Sequence, residues 1–183
     1  MPISRRALLA AFALPRPGRM PGRALLLDLG PNCLLQESLA GFRNVLAALS
    51  AASHGTLLIP GAGRLPQRHS ETIRAHLRRG RSVLLESALG LQHCHIAVPY
   101  IPYVDFTWPV DAKIREFFPL LLQPKPGDRV IATYAGKPVA LRRHTGGGTL
   151  VLLGSPVGPA LLAGDADARR WLASVLRWIH THS

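Results

Sequence analysis

From Arg23 onward the chain alternates short, unbroken apolar runs with longer stretches in which apolar side chains recur every three or four residues. Ala24–Leu29, Thr56–Ile59, Ser82–Leu85 and Thr149–Leu153 are runs of the first kind. Apolar segments that do not alternate predict strands covered on both faces, as in a parallel sheet. Between them, Leu39, Phe42, Val45, Leu46 and Leu49 predict an amphipathic helix over 36–53. Ile73 and Leu77 predict a second over 67–79, which Gly80 stops in the left-handed conformation that glycine adopts at helix ends. A last helix begins near Asp165, with Ala168, Trp171, Leu172, Val175, Leu176 and Ile179 on one face. Its acidic start (Asp165, Asp167) and basic end (Arg177, His180) match the helix dipole. Residues 129–134 and 138–142, joined by Ala135-Gly136-Lys137, read as a hairpin. Pro99, Pro102 and Pro109 break the region before it, where Tyr100, Tyr103, Phe106, Trp108, Phe117 and Phe118 collect.

Composition narrows the class. The 183 residues are 48% hydrophobic and 17% charged, enough apolar material for the core of one domain and incompatible with a disordered, collagen-like or coiled-coil chain. The longest unbroken apolar run, Ala7–Leu14, is too short to span a bilayer. Cys33 and Cys94 alone build neither a disulfide scaffold nor a four-thiolate zinc site. Residues 1–22 form a separate basic segment. Ser4-Arg5-Arg6-Ala7-Leu8-Leu9 is similar to a twin-arginine export signal, but no small-x-small cleavage site follows, and a translation start at Met20 would remove most of the segment. The expectation is a cytoplasmic protein whose domain occupies 23–183, with export as the alternative.

The net charge of +12 draws anions. Only three of the 22 basic residues are lysines, and the arginines are scattered along the chain, as GC-rich coding also produces. No zinc-finger spacing, RNA-binding aromatic signature or helix-turn-helix accompanies them. A nucleic-acid-associated protein is therefore a secondary reading resting on bulk charge.

Two stretches carry a family resemblance. Leu57-Leu58-Ile59-Pro60-Gly61-Ala62-Gly63 looks like a strand ending in a Pro-Gly-Gly turn, and Ile73 to Gly90 runs helix, glycine, then Val83-Leu84-Leu85-Glu86-Ser87-Ala88-Leu89-Gly90. Together they resemble the class I glutamine amidotransferase-like fold, best over 23–90. That resemblance implies an α/β, flavodoxin-like three-layer sandwich with a mostly parallel central sheet and a β-hairpin in its second half. It also implies a nucleophile elbow at Ser87. Leu85 and Leu89 stand where small residues would flank such an elbow, and Gly154-Ser155-Pro156 stands where the family's His-Glu pair would follow a later strand. The implied module lacks the complete triad.

In an open parallel sheet, ligands gather beyond the carboxyl ends of the strands. That rule selects Asp28, Asn32 and Cys33 after the first strand, Gly61, Ala62, Gly63 and Arg64 after the second, and Glu86 and Ser87 after the third. Amides of the Gly61–Gly63 turn can hold an oxyanion, and Arg64 can clamp an acidic ligand. A tight turn also explains the glycines, and Ser87 also suits a cap on the helix that follows it. His93 and His95 flank Cys94 on one face of an extended segment, a minimal start for a metal site that Asp105 or His144 would have to complete. No metal or cofactor is assigned. The expected function is a non-catalytic module binding a small molecule or a protein partner at the strand ends, with no membrane span and homo-oligomerisation left open. The alternative is a serine hydrolase with Ser87 as nucleophile and His93, His95 or His144 as base.

Overall fold

The computed structural model describes residues 24–48, 55–93, 103–115 and 119–182. The basic segment 1–22 and the Cys94–His95 pair lie outside them. In chain order the elements are β1 (Leu25–Leu26), α1 (Gln36–Ala48), β2 (Leu57–Ala62), α2 (Gln67–Arg78), β3 (Val83–Ser87), β4 (Tyr103–Phe106), β5 (Ala112–Arg115), β6 (Arg129–Tyr134), β7 (Lys137–Thr145), β8 (Gly148–Leu153), α3 (Gly158–Leu162) and α4 (Ala166–His182). The eight strands of the described residues join one sheet in the order β1-β2-β3-β8-β7-β6-β4-β5.

The sheet is mixed and strongly curled, a half-barrel in outline. β1–β2, β2–β3 and β3–β8 pair in parallel, whereas β8–β7, β7–β6, β6–β4 and β4–β5 pair antiparallel. This corrects the expectation of a flavodoxin-like sandwich with a mostly parallel sheet. The non-alternating runs specify only the parallel half. β4 and β5 are four residues each and bury alternate side chains, Val104 and Phe106 in one and Ala112 and Ile114 in the other. Such short, proline-flanked, half-buried strands give little signal in a sequence.

Burial explains the two halves. In β2 every residue is buried. Leu58, Leu84, Val151 and Leu153 face a core shared with Phe42 and Val45 of α1, Leu161 of α3 and the apolar stripe of α4. Leu57, Ile59 and Val83 face the opposite side, where α2 supplies Ile73 and Leu77. Strands covered on both faces are the form that parallel sheets take. In α4, Trp171, Leu172, Val175, Leu176 and Ile179 are at most 1% exposed. At about 1.5–3 kcal/mol per buried side chain, this stripe contributes on the order of 10 kcal/mol gross, far more than helix propensity. The buried Trp171 indole donates to the Trp108 carbonyl at 2.8 Å, so the polar end of the largest core side chain is satisfied. Among the described residues, no helix is long and apolar enough to cross a membrane.

α1 and α3 approach each other through glycine. A Cβ placed on Gly41 would lie 2.0 Å from the Gly158 carbonyl oxygen, and one on Gly158 would lie 2.3 Å from Ser38 Cα. Both obstacles are backbone, which cannot swing aside as a flexible side chain can. Gly41→Ala and Gly158→Ala are each expected to destabilise the protein by about 1–3 kcal/mol or more, the usual cost of overpacking. Urea unfolding checks this through a lowered midpoint at unchanged slope.

Candidate functional site

The parallel half brings the candidate residues of β2 and β3 together. Ala62 stands opposite Ser87 in the β2–β3 register, and the Ala88 amide donates to the Ala62 carbonyl at 2.8 Å. The ladder shifts between Ile59 and Ala62, where Gly61 adopts φ +59°. A Cβ there would lie 2.6 Å from the Leu35 carbonyl oxygen and 2.9 Å from Cys33 Sγ. Glycine is thus required at this position both by backbone conformation and by space. Gly61, Ala62 and Gly63 are buried, and Arg64 is exposed.

Glu86 lies at the centre of this junction and is fully buried. Its Oε2 accepts the Gly61 N–H at 2.7 Å, and its Oε1 accepts the Gly158 N–H at 2.7 Å, where α3 begins. Burial pushes the carboxyl above its ordinary pKa, against the amide of Gly158, the Ser38 hydroxyl and the amides of Gly61 and Val157, which favour the charged form. Ser38 is itself buried, and its Oγ stands outside ordinary hydrogen-bond geometry. Both Glu86 oxygens are therefore engaged by the protein's own backbone. A sequence reading identifies Glu86 as a strand-end acid. It cannot supply Gly158, 72 residues away, because only the sheet order brings the two together.

Ser87 is 8% exposed, and its Oγ accepts the Leu89 N–H at 3.3 Å. It caps the 3-10 turn Leu89–His93. Its φ is not in the left-handed region, which among the described non-glycine residues only Ala135 enters. A nucleophile elbow needs that strained turn, so Ser87 is not on one. His144 pairs with Thr149 at the start of β8, while Glu86 pairs with Leu153 at its end. At roughly 3.3 Å per residue, His144 lies on the order of 13 Å away along the strands, out of reach of Ser87. The His93 side chain and all of His95 fall outside the described residues. Among the described residues, no three His, Cys, Asp or Glu side chains come together as a metal site.

Cys33 adjoins the junction. It bridges to Ala62, and its thiol contacts the Leu35 carbonyl at 3.3 Å. Burial pushes this thiol's pKa up, away from the thiolate that nucleophilic chemistry needs.

The fold thus defines a mixed α/β class, in which a parallel half covered on both faces continues into an antiparallel half. No protein-family model matches the chain, and a search of the curated proteins finds no relative. Solved structures do share the fold. Over 76% of this chain it is similar to the exo-β-1,4-mannosidase Op5Man5 from Opitutaceae bacterium strain TAV5, at 15% identity and TM-score 0.54. Over 84% it is similar to the β-galactosidase from Bacillus circulans sp. alkalophilus, at 12% identity and TM-score 0.54. The chain spans 31% of the length of each.

These neighbours and the mixed sheet overturn the resemblance to the class I glutamine amidotransferase-like fold. The two stretches behind that resemblance specify strand–turn–helix units in the parallel half. Such units recur in many α/β proteins and do not fix the order or direction of the remaining strands.

Glu86→Gln replaces one acceptor oxygen with an NH2 that faces an amide donor. We expect a loss of about 1–3 kcal/mol from the hydrogen bond left unmade. The carboxyl's pKa is raised in the folded state, so its contribution is complete below its ordinary value of 4.5 and declines as pH rises through the folded value. The stability gap between wild type and Glu86→Gln should therefore be widest in acid and narrow toward neutral pH. Urea unfolding of both proteins across this range measures it.

Proposed function

We propose that the chain is a non-catalytic binding module, which presents Arg64 and the rim of its parallel strand ends to an acidic small molecule or protein partner. The observation that carries this reading is the commitment of Glu86. The buried carboxylate of the strand ends holds a backbone amide on each oxygen and is sealed from solvent, which favours a structural role over proton transfer to a bound ligand. Ser87 supports the same reading, since its hydroxyl serves as a turn cap and an unactivated serine is a weak nucleophile. Arg64 is the exposed cation next to the turn, and a guanidinium suits a carboxylate or phosphate. The buried free thiol of Cys33 suits the reducing conditions of the cytoplasm.

Exposure to a fluorophosphonate probe, followed by mass spectrometry of the intact chain, tests the non-catalytic assignment. The expected outcome is an unmodified protein. Stoichiometric labelling at Ser87, abolished in Ser87→Ala, would overturn it in favour of a serine hydrolase.

A further inference from the structure

The opposite end of the sheet carries a second constellation that the strand-end reading does not use. Arg129 of β6 and Arg142 of β7 stand directly opposite each other in the antiparallel register. Like charges at a cross-strand pair repel and are normally avoided. Among the described residues neither guanidinium belongs to an ion pair. The neighbouring carboxylate, Asp128, is engaged by the Arg143 guanidinium at 2.7 Å and by the Lys125 amide at 2.8 Å. That engagement holds Asp128 down to a pKa of about 2, so it stays a committed anion and is not free to neutralise Arg129.

The two arginines open onto a depression of about 210 Å3, lined also by Gly127, His144, Thr149 and Trp178. His144 stands two residues beyond Arg142 on the same face of β7, opposite Thr149. Four donor-bearing side chains therefore converge on one concavity, with Trp178 as an apolar wall.

Arg142 is also held in place before any ligand arrives. Its guanidinium carbon lies 5.0 Å from the Trp108 ring centroid and 4.8 Å from that of Trp178. Those two indoles meet edge to face at 5.0 Å, and Trp178 stacks on His182 at 4.3 Å. A guanidinium fixed by two aromatic rings loses little freedom on binding, which favours affinity. Burial and the Arg129 charge together push the pKa of Arg142 down. The site thus concentrates uncompensated positive charge that an anion would relieve.

We propose that this depression between β6, β7 and the end of α4 is a binding site for a phosphoryl oxyanion, as inorganic phosphate or a small phosphate monoester. Arg129 and Arg142 would supply the forked donors, and His144 and Thr149 would complete the polar lining. The fork of a guanidinium matches a tetrahedral oxyanion, and here the register sets two such forks on one depression.

Calorimetric and thermal-shift titrations with inorganic phosphate and with phenyl phosphate, at ionic strength held constant with chloride, test the site. Saturable binding of one equivalent is expected. Tighter binding of phenyl phosphate would assign a monoester with a ring against Trp178, and equal binding would assign the free ion. Arg129→Gln and His144→Gln alter exposed side chains and should leave folding intact. Arg129→Gln should weaken binding about tenfold or more, since it removes one forked charge contact. Arg74→Gln, on the exposed face of α2, should change nothing. The proposal is overturned if phosphate does no more than chloride, or if Arg129→Gln binds as tightly as wild type. It also fails if only a DNA duplex is retained, with a steep loss in salt, for that is the mark of bulk charge.

Discussion

A carboxylate taken fully out of water needs donors, and those around Glu86 come from the register shift in β2 and from the start of α3. One oxygen fixes the Gly61 amide, where the β2 ladder shifts register, and the other fixes the amide that opens α3. Burying the charge is unfavourable on its own, as the upward pKa shift records. It persists because removing it would strand two buried amides, each without water to replace the lost bond. The end of β3 thereby becomes the point where β2, α1 and α3 are held together. The glycines at 41, 61 and 158 are the geometric condition for that arrangement, because a Cβ at any of them would strike backbone.

The same physics separates the halves of the sheet. Where α1, α3 and α4 cover one face and α2 the other, strands are mostly apolar and run parallel. Where cover is one-sided, as on β4 and β5, side chains alternate. Tyr103, Asp105, Lys113 and Arg115 point outward, paired by an ion pair and by an Arg115–Tyr103 hydrogen bond. The candidate strand-end site belongs to the first half, and the basic depression to the second.

Much of the parallel half was legible in the sequence. Buried strands announce themselves as apolar runs, and α2 and α4 by their periodicity, because burial on a fixed face leaves a period in the residue pattern. The meeting of Gly61 with Glu86 and Ser87 could also be read, since parallel neighbours place their carboxyl ends side by side. The antiparallel half was much less so. β4 and β5 are short and flanked by proline, and strand order is a long-range property that no local motif encodes. For the same reason the Pro-Gly turn and the helix–strand unit after it pointed to the wrong family. The roles of Ser38 and Gly158 were hidden too, since nothing near residues 38 or 158 names a carboxylate far away in the chain. Arg129 and Arg142 looked like two of many arginines until the register set them face to face.

β8 enters the sheet between β3 and β7 although it is the last strand in the chain. Until residues 148–158 have been made, β3 has no neighbour on one side and Glu86 lacks one of its two donors. A ribosome-bound fragment ending before β8 would expose an open, apolar strand edge of the kind that recruits chaperones or other chains. The interior of this domain is therefore closed only by its last strand, β8, whichever of the other seven have already paired.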